Sequence, residues 1–396
     1  MVAELVDDVR RYLAEGELPA TAAHVAEAIL ASGEIPGDAA VGRMVAELQS
    51  ELVGAGPLEP LMHDPLVSDV LVNGPHSVWA DRGGGLEELA ISFRDEQSVR
   101  RLAQRLASLA GRRLDDASPY VDARLPDGAR LHAIVPPLSS VGTCISIRVP
   151  RKRDFTLPEL VEARAMPATA IPWFEAIISS KCAYLISGGT GTGKTTLLSA
   201  LLATIPRNER ILIVEDSGEL NPDHDHVVRL ESRPPNVEGQ GKIELRDLLR
   251  QALRMRPDRI VVGEVRGAEV VDLLAALNTG HEGGCGTVHA NSAEDVPARL
   301  EALALAAGLG REALHAQVNA GIDAVIHLNR MRSGRRRIAG INVLRPVLGD
   351  GASTGVNESV PAVVFGEDEV KEGPGFEYLA RRLGMTGQGK ENAAAL

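Results

Sequence analysis

The feature that most constrains this chain is the octapeptide 188–195, Gly-Gly-Thr-Gly-Thr-Gly-Lys-Thr, which fits the pattern G-x-x-x-x-G-K-[ST] at every fixed position. The apolar run 183–187 before it predicts a short buried strand, and 196–202 after it predicts a helix start. This context favours a phosphate-binding loop over a glycine-rich turn that matches by chance. The predicted ATP contacts are Gly188, Gly189, Thr190, Gly191, Thr192, Gly193, Lys194, Thr195 and Thr196.

The chemistry expected of this loop follows from its residue types. Glycines allow consecutive backbone N–H groups to face an anion, and the helix that follows adds the positive end of its dipole. The Lys194 ammonium can reach the β- and γ-phosphates, and the Thr195 hydroxyl can bind Mg²⁺. We therefore expect ATP and Mg²⁺ as the ligands.

A cluster of carboxylates follows the apolar strand predicted at 210–214. Glu215, Asp216 and Glu219 come directly after it. Ligands bind at the carboxyl end of strands in parallel sheets, so these side chains can hold metal-bound water or accept its proton. The alternative is an acidic loop without a catalytic role.

A second apolar strand, 259–263, ends at Glu264, where a Walker B strand is expected. Gly263 stands where the usual aspartate would be. We therefore expect Thr195 to hold Mg²⁺, Glu264 to contact it through water, and Glu215 to be a further metal candidate. The predicted catalytic residues are Lys194, Glu219 and Glu264.

Two histidines, His281 and His289, flank a short strand predicted at 284–288. An imidazole at the end of a strand can form a hydrogen bond with a γ-phosphate. Both histidines are therefore candidate ATP contacts, although a single histidine is more often structural.

The amino-acid composition argues against several classes of protein. A net charge of −12 and 3% aromatic residues argue against a protein whose main task is to wrap nucleic acid. Three cysteines without a C-x-x-C pair fit a reducing cytosol. The acidic amino terminus lacks the apolar region of a signal peptide, and no run approaches the length of a membrane span.

The length of 396 residues predicts two or three domains. We expect a helical segment at 1–53, a small α+β domain at 54–150, a linker at 151–170 and an α/β domain with a mostly parallel sheet at 171–346. A hairpin is predicted at 323–329 and 337–343, with an arginine-rich turn around Gly334. The tail 347–396 is expected to be mostly disordered, with one candidate short helix at 376–383.

Longer motifs carry a resemblance to a known family. They are 56–61 (GPLEPL), 125–130 (LPDGAR), 145–148 (ISIR), 229–239 (RLESRPPNVEG) and 246–259 (RDLLRQALRMRPDR). With them the chain resembles the type II/type IV secretion-system ATPases, specifically the tight-adherence (TadA/CpaF) branch. The resemblance implies a RecA-like core behind a PAS-like N-domain, assembled as a homohexamer. It also implies that Glu219 is the catalytic glutamate, that 281–289 is a histidine box, and that Gly263-Glu264 is the family's own pattern.

Charge balance points to further cations. A triphosphate with Mg²⁺ still carries about two negative charges, and Lys194 is the only cation of the loop. We predict that one or more of Arg112, Arg113, Arg130 and Arg148 contact ATP, some of them from a neighbouring subunit. The alternative is that these arginines only tie strands together within the N-domain.

The resulting functional hypothesis is a hexameric ATPase motor that powers pilus assembly or protein secretion of the Tad/Flp type. Its expected location is the cytoplasmic face of the inner membrane, where it would bind platform proteins of a pilus or secretion system. A helicase or DNA-transfer motor with the same core is the alternative, since RecA-like cores serve both tasks. A nucleotide-binding regulator with little hydrolysis is a third hypothesis.

Overall fold

The computed structural model describes residues 9, 12, 24, 27–29, 54–149, 155–233, 235, 240–331, 334–349, 352–367 and 369–385. The helical segment predicted at 1–53 lies almost entirely outside these residues; its described positions are helical. The chain divides into two compact units, 1–152 and 153–396. Across the described residues, no helix has both the length and the apolar character that crossing a membrane requires.

The first unit is a small α+β domain. A 3-10 turn, Gly56–Leu58, opens it. Its helices are α1 (Glu59–His63) and α2 (Glu96–Leu109). Its strands are β1 (Asp69–Asn73), β2 (Val78–Asp81), β3 (Leu86–Leu89), β4 (Tyr120–Arg124), β5 (Arg130–Ile134) and β6 (Cys144–Arg148).

These strands form an antiparallel sheet in the order β3-β2-β1-β6-β5-β4, as far as the described residues show. Helix α2 begins after Asp95, whose carboxylate accepts a hydrogen bond of 2.7 Å from the Ser98 N–H and so caps the helix. One apolar face of α2, including Val99, Leu102 and Leu106, packs with alternate sheet residues into the core of this unit.

The second unit is an α/β domain. A 3-10 turn, Ala168–Ala170, lies between its first two helices. The helices are α3 (Leu157–Glu162), α4 (Ile171–Ser179), α5 (Lys194–Leu202), α6 (Leu245–Ala252), α7 (Glu269–Leu277), α8 (Val296–Ala306), α9 (Arg311–Gly321) and α10 (Phe376–Arg382). The strands are β7 (Tyr184–Gly188), β8 (Ile211–Glu215), β9 (Val227–Glu231), β10 (Arg259–Val265), β11 (Cys285–Val288), β12 (Ala324–Arg330), β13 (Arg336–Gly349), β14 (Ala352–Phe365) and β15 (Val370–Glu372).

Within the described residues these strands form one mixed sheet in the order β15-β14-β13-β12-β7-β11-β10-β8-β9. The segment from β12 to β9 is parallel, and β13 to β15 extend it in antiparallel fashion. Strands β7, β8 and β11 are buried along their whole length, and separate apolar clusters pack on the two faces of the sheet. This architecture confirms the predicted α/β fold with a mostly parallel central sheet.

The structure corrects the prediction of a mostly disordered tail after residue 347. Strand β14 pairs with β13, and Val360, Ala362, Val363 and Phe365 are buried. Helix α10 confirms the candidate short helix, and its Phe376 ring contacts Trp173 edge-on with centroids 5.7 Å apart. The composition of the tail as a whole is polar, but its few apolar residues are concentrated in these two elements and complete the core.

Residues 155–170, which were assigned to the predicted linker, contain helix α3 and the 3-10 turn before α4. Thr156 and Glu159 form a capping box, in which each side chain binds the backbone N–H of the other residue, so α3 begins at Leu157. Leu157 and Leu160 are buried in the core of the second unit. This segment therefore belongs to the α/β domain.

Candidate functional site

The predicted phosphate-binding loop connects β7 to α5 directly. Gly193 adopts φ = 98° immediately before α5 begins at Lys194. A residue with a side chain would be strained in this left-handed conformation, so the turn into the helix requires glycine. The Thr192 hydroxyl donates a hydrogen bond of 2.9 Å to the Gly189 carbonyl and closes the loop on itself. The strand, loop and helix predicted from the motif are thus all present.

Lys194 is buried inside this loop. Its Nζ donates hydrogen bonds to the carbonyls of Gly188, at 3.1 Å, and Gly189, at 3.0 Å, and lies 3.5 Å from His289 Nε2. Burial lowers the pKa of the ammonium, and the neighbouring carboxylate of Glu264 opposes that shift. An ammonium ion with such neutral partners is available to an anion that enters the loop.

Glu219 lies beside the first turn of α5. Its Oε2 is 3.5 Å from Thr195 Oγ1, and the residue is exposed. Glu215, in contrast, is buried at the end of β8 and accepts hydrogen bonds from the backbone N–H groups of Glu219 and Leu220. Burial raises the pKa of Glu215 to about 7, although these backbone hydrogen bonds oppose the shift.

Glu264 lies between the guanidinium of Arg266 and the imidazole of His289, whose own pKa is lowered by burial. Arg266 Nη2 donates a hydrogen bond of 2.5 Å to its Oε2. His289 Nε2 lies 2.6 Å from its Oε1, an ion-pair distance, but the two groups do not meet hydrogen-bond geometry. Burial alone would raise the pKa of Glu264, yet Arg266, His289 and Lys194 together hold it below its ordinary value.

The sheet explains why these groups meet. Strands β7, β11, β10 and β8 are adjacent and parallel, so the residues at their carboxyl ends share one edge. The register of β10 against β11 shifts between Val262 and Val265, and Glu264 lies within this irregularity. Such a bulge re-aims side chains at the end of a strand.

The two predicted histidines lie at opposite ends of β11. His289 follows the strand and lies beside Lys194. His281 precedes the strand, whose first residue, Cys285, pairs with Tyr184 at the start of β7. Four strand residues span roughly 13 Å. The structure therefore does not bring His281 to the loop of its own chain, and its Nδ1 is buried without a hydrogen-bond partner among the described residues.

Three of the four arginines proposed from the first unit have carboxylate partners within that unit. Arg130 donates to Asp122 at 2.9 and 3.2 Å, Arg148 lies 3.4 Å from Asp69, and Arg113 pairs with Asp115. Arg112 is half-buried in the turn after α2. These pairs agree with the alternative that the arginines tie strands together, although exposed pairs contribute only about 0–1 kcal/mol each.

The register of the same sheet adds a second observation. Arg124 pairs with Arg130, and Arg130 pairs with Arg148, so three arginines follow one another across adjacent strands. Like charges directly opposite each other destabilise a sheet. All three arginines are exposed, and Asp122 and Asp69 offset the charge of Arg130 and Arg148.

Two arginines of the α/β domain were not among the predicted site residues. Arg266 binds Glu264 from the position directly after β10, and its spacing of two residues from Glu264 was a usable signal. Arg336 is the first residue of β13, and its side chain lies beside Gly193 of the phosphate-binding loop. A Cβ added to Gly193 would be 3.7 Å from Arg336 Cδ. No local pattern places Arg336 there, because the contact depends on the pairing of β12 with β7 and β13.

Comparisons with known proteins identify the family of this chain. A family model described as "Type II/IV secretion system protein" matches residues 51–347. A Mycobacterium tuberculosis protein described as a "putative conjugal transfer protein" is 54% identical over 319 residues, which cover 79% of this chain and 91% of that protein. The type IV secretion system protein VirB11 of Brucella suis is 30% identical over 324 residues, covering 74% of this chain and 89% of that protein.

Among solved structures, the ATPase DotB of Legionella pneumophila is similar with a TM-score of 0.51 and 22% identity, covering 71% of this chain and 78% of that one. At this identity the similarity supports the fold alone. The match to the family model over most of the chain, with relatives that share nearly their full length, shows that this protein belongs to the type II/IV secretion system protein family.

Proposed function

We propose that this protein hydrolyses ATP to ADP and phosphate. The observation that carries the proposal is the convergence of Lys194, Thr195, Glu219, Glu264 and His289 at one edge of the sheet. This set contains a cation for the phosphates, a hydroxyl for a metal ion, and a carboxylate in contact with that hydroxyl. Phosphoanhydride hydrolysis needs these groups, since catalysis of phosphoryl transfer consists mainly of positioning and electrostatic stabilisation.

The residues present fit ATP with Mg²⁺. The described residues hold no cluster of three or more His, Cys, Asp or Glu side chains suited to a metal ion. Mg²⁺ is commonly held by one or two protein oxygens together with substrate phosphates and water. Thr195 Oγ1 would bind it directly and Glu264 through water. Glu264 Oε1 is buried beside His289 and has no hydrogen-bond partner among the residues that the structure describes. When bound, Mg²⁺ would neutralise charge that develops on the phosphates.

The residue roles follow from exposure and charge. Lys194, now bonded to loop carbonyls, would turn to the β- and γ-phosphates. Exposed Glu219 would orient the attacking water and accept its proton. His289, beside Lys194 and Glu264, would form a hydrogen bond with the γ-phosphate, so it can report whether that phosphate is present.

At the level of the assembly, we propose a homohexameric motor of the tight-adherence branch, which powers pilus assembly or secretion at the cytoplasmic face of the inner membrane through platform proteins. Family membership and the tight-adherence motifs support this proposal. Arg130 and Arg148, in the arginine row of the first unit, would reach the nucleotide of a neighbouring subunit and couple hydrolysis to domain motion.

The experiment is phosphate release by the purified full chain with Mg²⁺, measured with and without single-stranded DNA. A secretion motor should hydrolyse ATP at nearly the same rate with and without DNA. We expect a change of less than about twofold, which corresponds to a change of well under 1 kcal/mol in the activation free energy. Strong stimulation by DNA would favour the nucleic-acid motor instead. Absence of turnover under all conditions would favour a nucleotide-binding regulator.

A further inference from the structure

Glu215 and Gly263 lie side by side at the ends of two neighbouring strands. Val214 of β8 pairs with Val262 of β10 in parallel register, so the next residues face each other. A Cβ added at Gly263 would lie 2.6 Å from Glu215 Cγ and 3.0 Å from its Oε1. The backbone of Gly263 is not in the left-handed region. Lack of space, not backbone conformation, therefore requires glycine at this position.

The oxygens of the Glu215 carboxylate accept hydrogen bonds from backbone N–H groups. Oε1 accepts hydrogen bonds of 3.1 Å from the N–H groups of both Glu219 and Leu220, and Oε2 lies 3.4 Å from the Leu220 N–H. The residue is 5% exposed. A buried carboxylate is strongly unfavourable without such partners, and here they are two adjacent amides of the loop that leaves β8.

The same loop is anchored from its other side. Arg229 of β9 donates to the Leu220 carbonyl at 3.0 Å and to Asn221 Oδ1 at 2.5 Å, and Leu220 is buried. Glu219 therefore extends from a backbone that is fixed at residues 219 and 220, and its Oε2 lies 3.5 Å from Thr195 Oγ1. Without the carboxylate of Glu215, the amides of both residues would lose their acceptor.

We propose that Glu215 is a positioning residue and not a metal ligand. It fixes the backbone of Glu219 and Leu220 so that Glu219 faces the first turn of α5, and Gly263 leaves the space that the Glu215 side chain occupies. The catalytic part of this inference rests on the proposed ATP hydrolysis by Glu219. The structural part does not, because it concerns two amides of the nucleotide-free chain.

The structural part is tested by hydrogen exchange of the full chain without nucleotide. Glu215→Ala should accelerate exchange at the amides of residues 219 and 220 by about tenfold or more, since each loses its acceptor. Gly263→Ala should accelerate the same two amides because its Cβ displaces the carboxylate. Gly310→Ala is the matched control, because its added Cβ meets nothing within 4 Å. Unchanged exchange in both Glu215→Ala and Gly263→Ala would overturn the proposal.

The catalytic part is tested by a double-mutant cycle. Glu215→Ala should lower kcat by about 30-fold or more with ATP affinity kept within about threefold, and Gly263→Ala should lower kcat by about tenfold. The double variant should be no slower than Glu215→Ala, since the clash requires the Glu215 side chain. Additive losses would contradict the contact.

Glu215→Gln separates positioning from metal binding. The amide oxygen can still accept both backbone hydrogen bonds, so kcat should fall only about threefold, and the Mg²⁺ concentration at half-maximal rate should stay within about twofold. A rise of that concentration by tenfold or more would make Glu215 a metal ligand and overturn the proposal. If the unmodified chain shows no turnover while the exchange effects appear, the proposed function fails and the positioning of the loop stands.

Discussion

Glu264 Oε1 lies 2.6 Å from His289 Nε2, and this contact joins the ends of two neighbouring strands of the central sheet. The other oxygen of the same carboxylate accepts a hydrogen bond from Arg266. Arg266, with smaller contributions from His289 and Lys194, holds the pKa of Glu264 below its ordinary value despite burial, so the group stays ionised at neutral pH. A carboxylate stabilised as an anion is a weak base but a suitable partner for metal-bound water. The role of base is therefore assigned to Glu219, whose Oε2 lies 3.5 Å from Thr195 Oγ1.

Glu219→Gln tests that assignment. The amide keeps the shape of the side chain but cannot accept a proton, so turnover should fall by about 100-fold or more while ATP remains bound. Phosphate release and titration with a fluorescent ATP analogue measure the two quantities. Hydrolysis at the normal rate would remove Glu219 from the role of base.

Glu264→Gln should have a different signature. Loss of the negative charge weakens the hold on metal-bound water, so turnover should fall and the Mg²⁺ concentration at half-maximal rate should rise by about tenfold. Glu162→Gln, at an exposed position at the end of α3, serves as the control. An unchanged Mg²⁺ dependence would show that Glu264 acts in some other way.

Mixed assemblies test the proposed arginines in trans. Lys194→Ala and Arg148→Ala proteins should each be inactive alone, because one lacks the loop cation and the other lacks the cation supplied to its neighbour. Mixing them should restore part of the ATP turnover, since some sites then combine an intact loop with an intact arginine. Lack of recovery after proven mixing would place Arg148 in the site of its own chain or outside the mechanism.

The buried side chain of His327 predicts how the free energy of unfolding changes with pH. Its Nδ1 lies 2.9 Å from Ser187 Oγ in the sheet, and burial lowers its pKa, although Glu294 and Asp295 oppose that shift. Below about pH 6.5 the unfolded chain binds a proton that the folded chain does not, so the free energy of unfolding should decrease as pH falls.

His327 can lower the free energy of unfolding by at most about 1.4 kcal/mol for each pH unit of acidification. This loss stops once the pH is below the pKa of His327 in the folded state, because both states then bind the proton. Urea unfolding between pH 7.5 and 5.5 measures it, with His327→Gln as the comparison. The variant should lose less stability over this range than the unmodified chain. Equal losses in the two proteins would contradict the depressed pKa.

Leu379→Ala tests whether the carboxyl-terminal segment belongs to the core. Leu379 is fully buried on α10, so its truncation should lower the free energy of unfolding by about 2–5 kcal/mol. Arg381→Ala, at an exposed position of the same helix, should change it by less than about 0.5 kcal/mol. Equal effects of the two substitutions in urea unfolding would show that α10 does not contribute to the core.

The sequence was most informative where local patterns and the fold agree. The motif around Lys194 predicted a strand, a loop and a helix, and these are present as β7, the phosphate-binding loop and α5. The apolar runs before Glu215 and Glu264 likewise predicted β8 and β10, and parallel pairing then brings their carboxyl ends together. The hairpin of β12 and β13 was predicted from its two apolar runs around an arginine-rich turn.

The relationships that the sequence did not reveal depend on distant contacts. Burial of Glu215 against Gly263 comes from the register of two strands that are far apart in the chain. The pairing of β14 with β13 turns a segment of polar composition into part of the sheet. Two edge strands, β4 and β9, were not predicted, because their short alternating runs contain charged residues and resemble loops.

The most direct test of the central claim is ATP turnover by Lys194→Ala. Lys194 is the cation of the phosphate-binding loop, and alanine leaves the charge of the β- and γ-phosphates without compensation there. The unmodified chain should release phosphate in the presence of Mg²⁺, and the variant should retain no more than a few per cent of that rate, a loss of roughly one to two decades. Unchanged unfolding in urea should show that the variant is folded. Hydrolysis near the rate of the unmodified chain would contradict the assignment of this loop as the site of ATP hydrolysis.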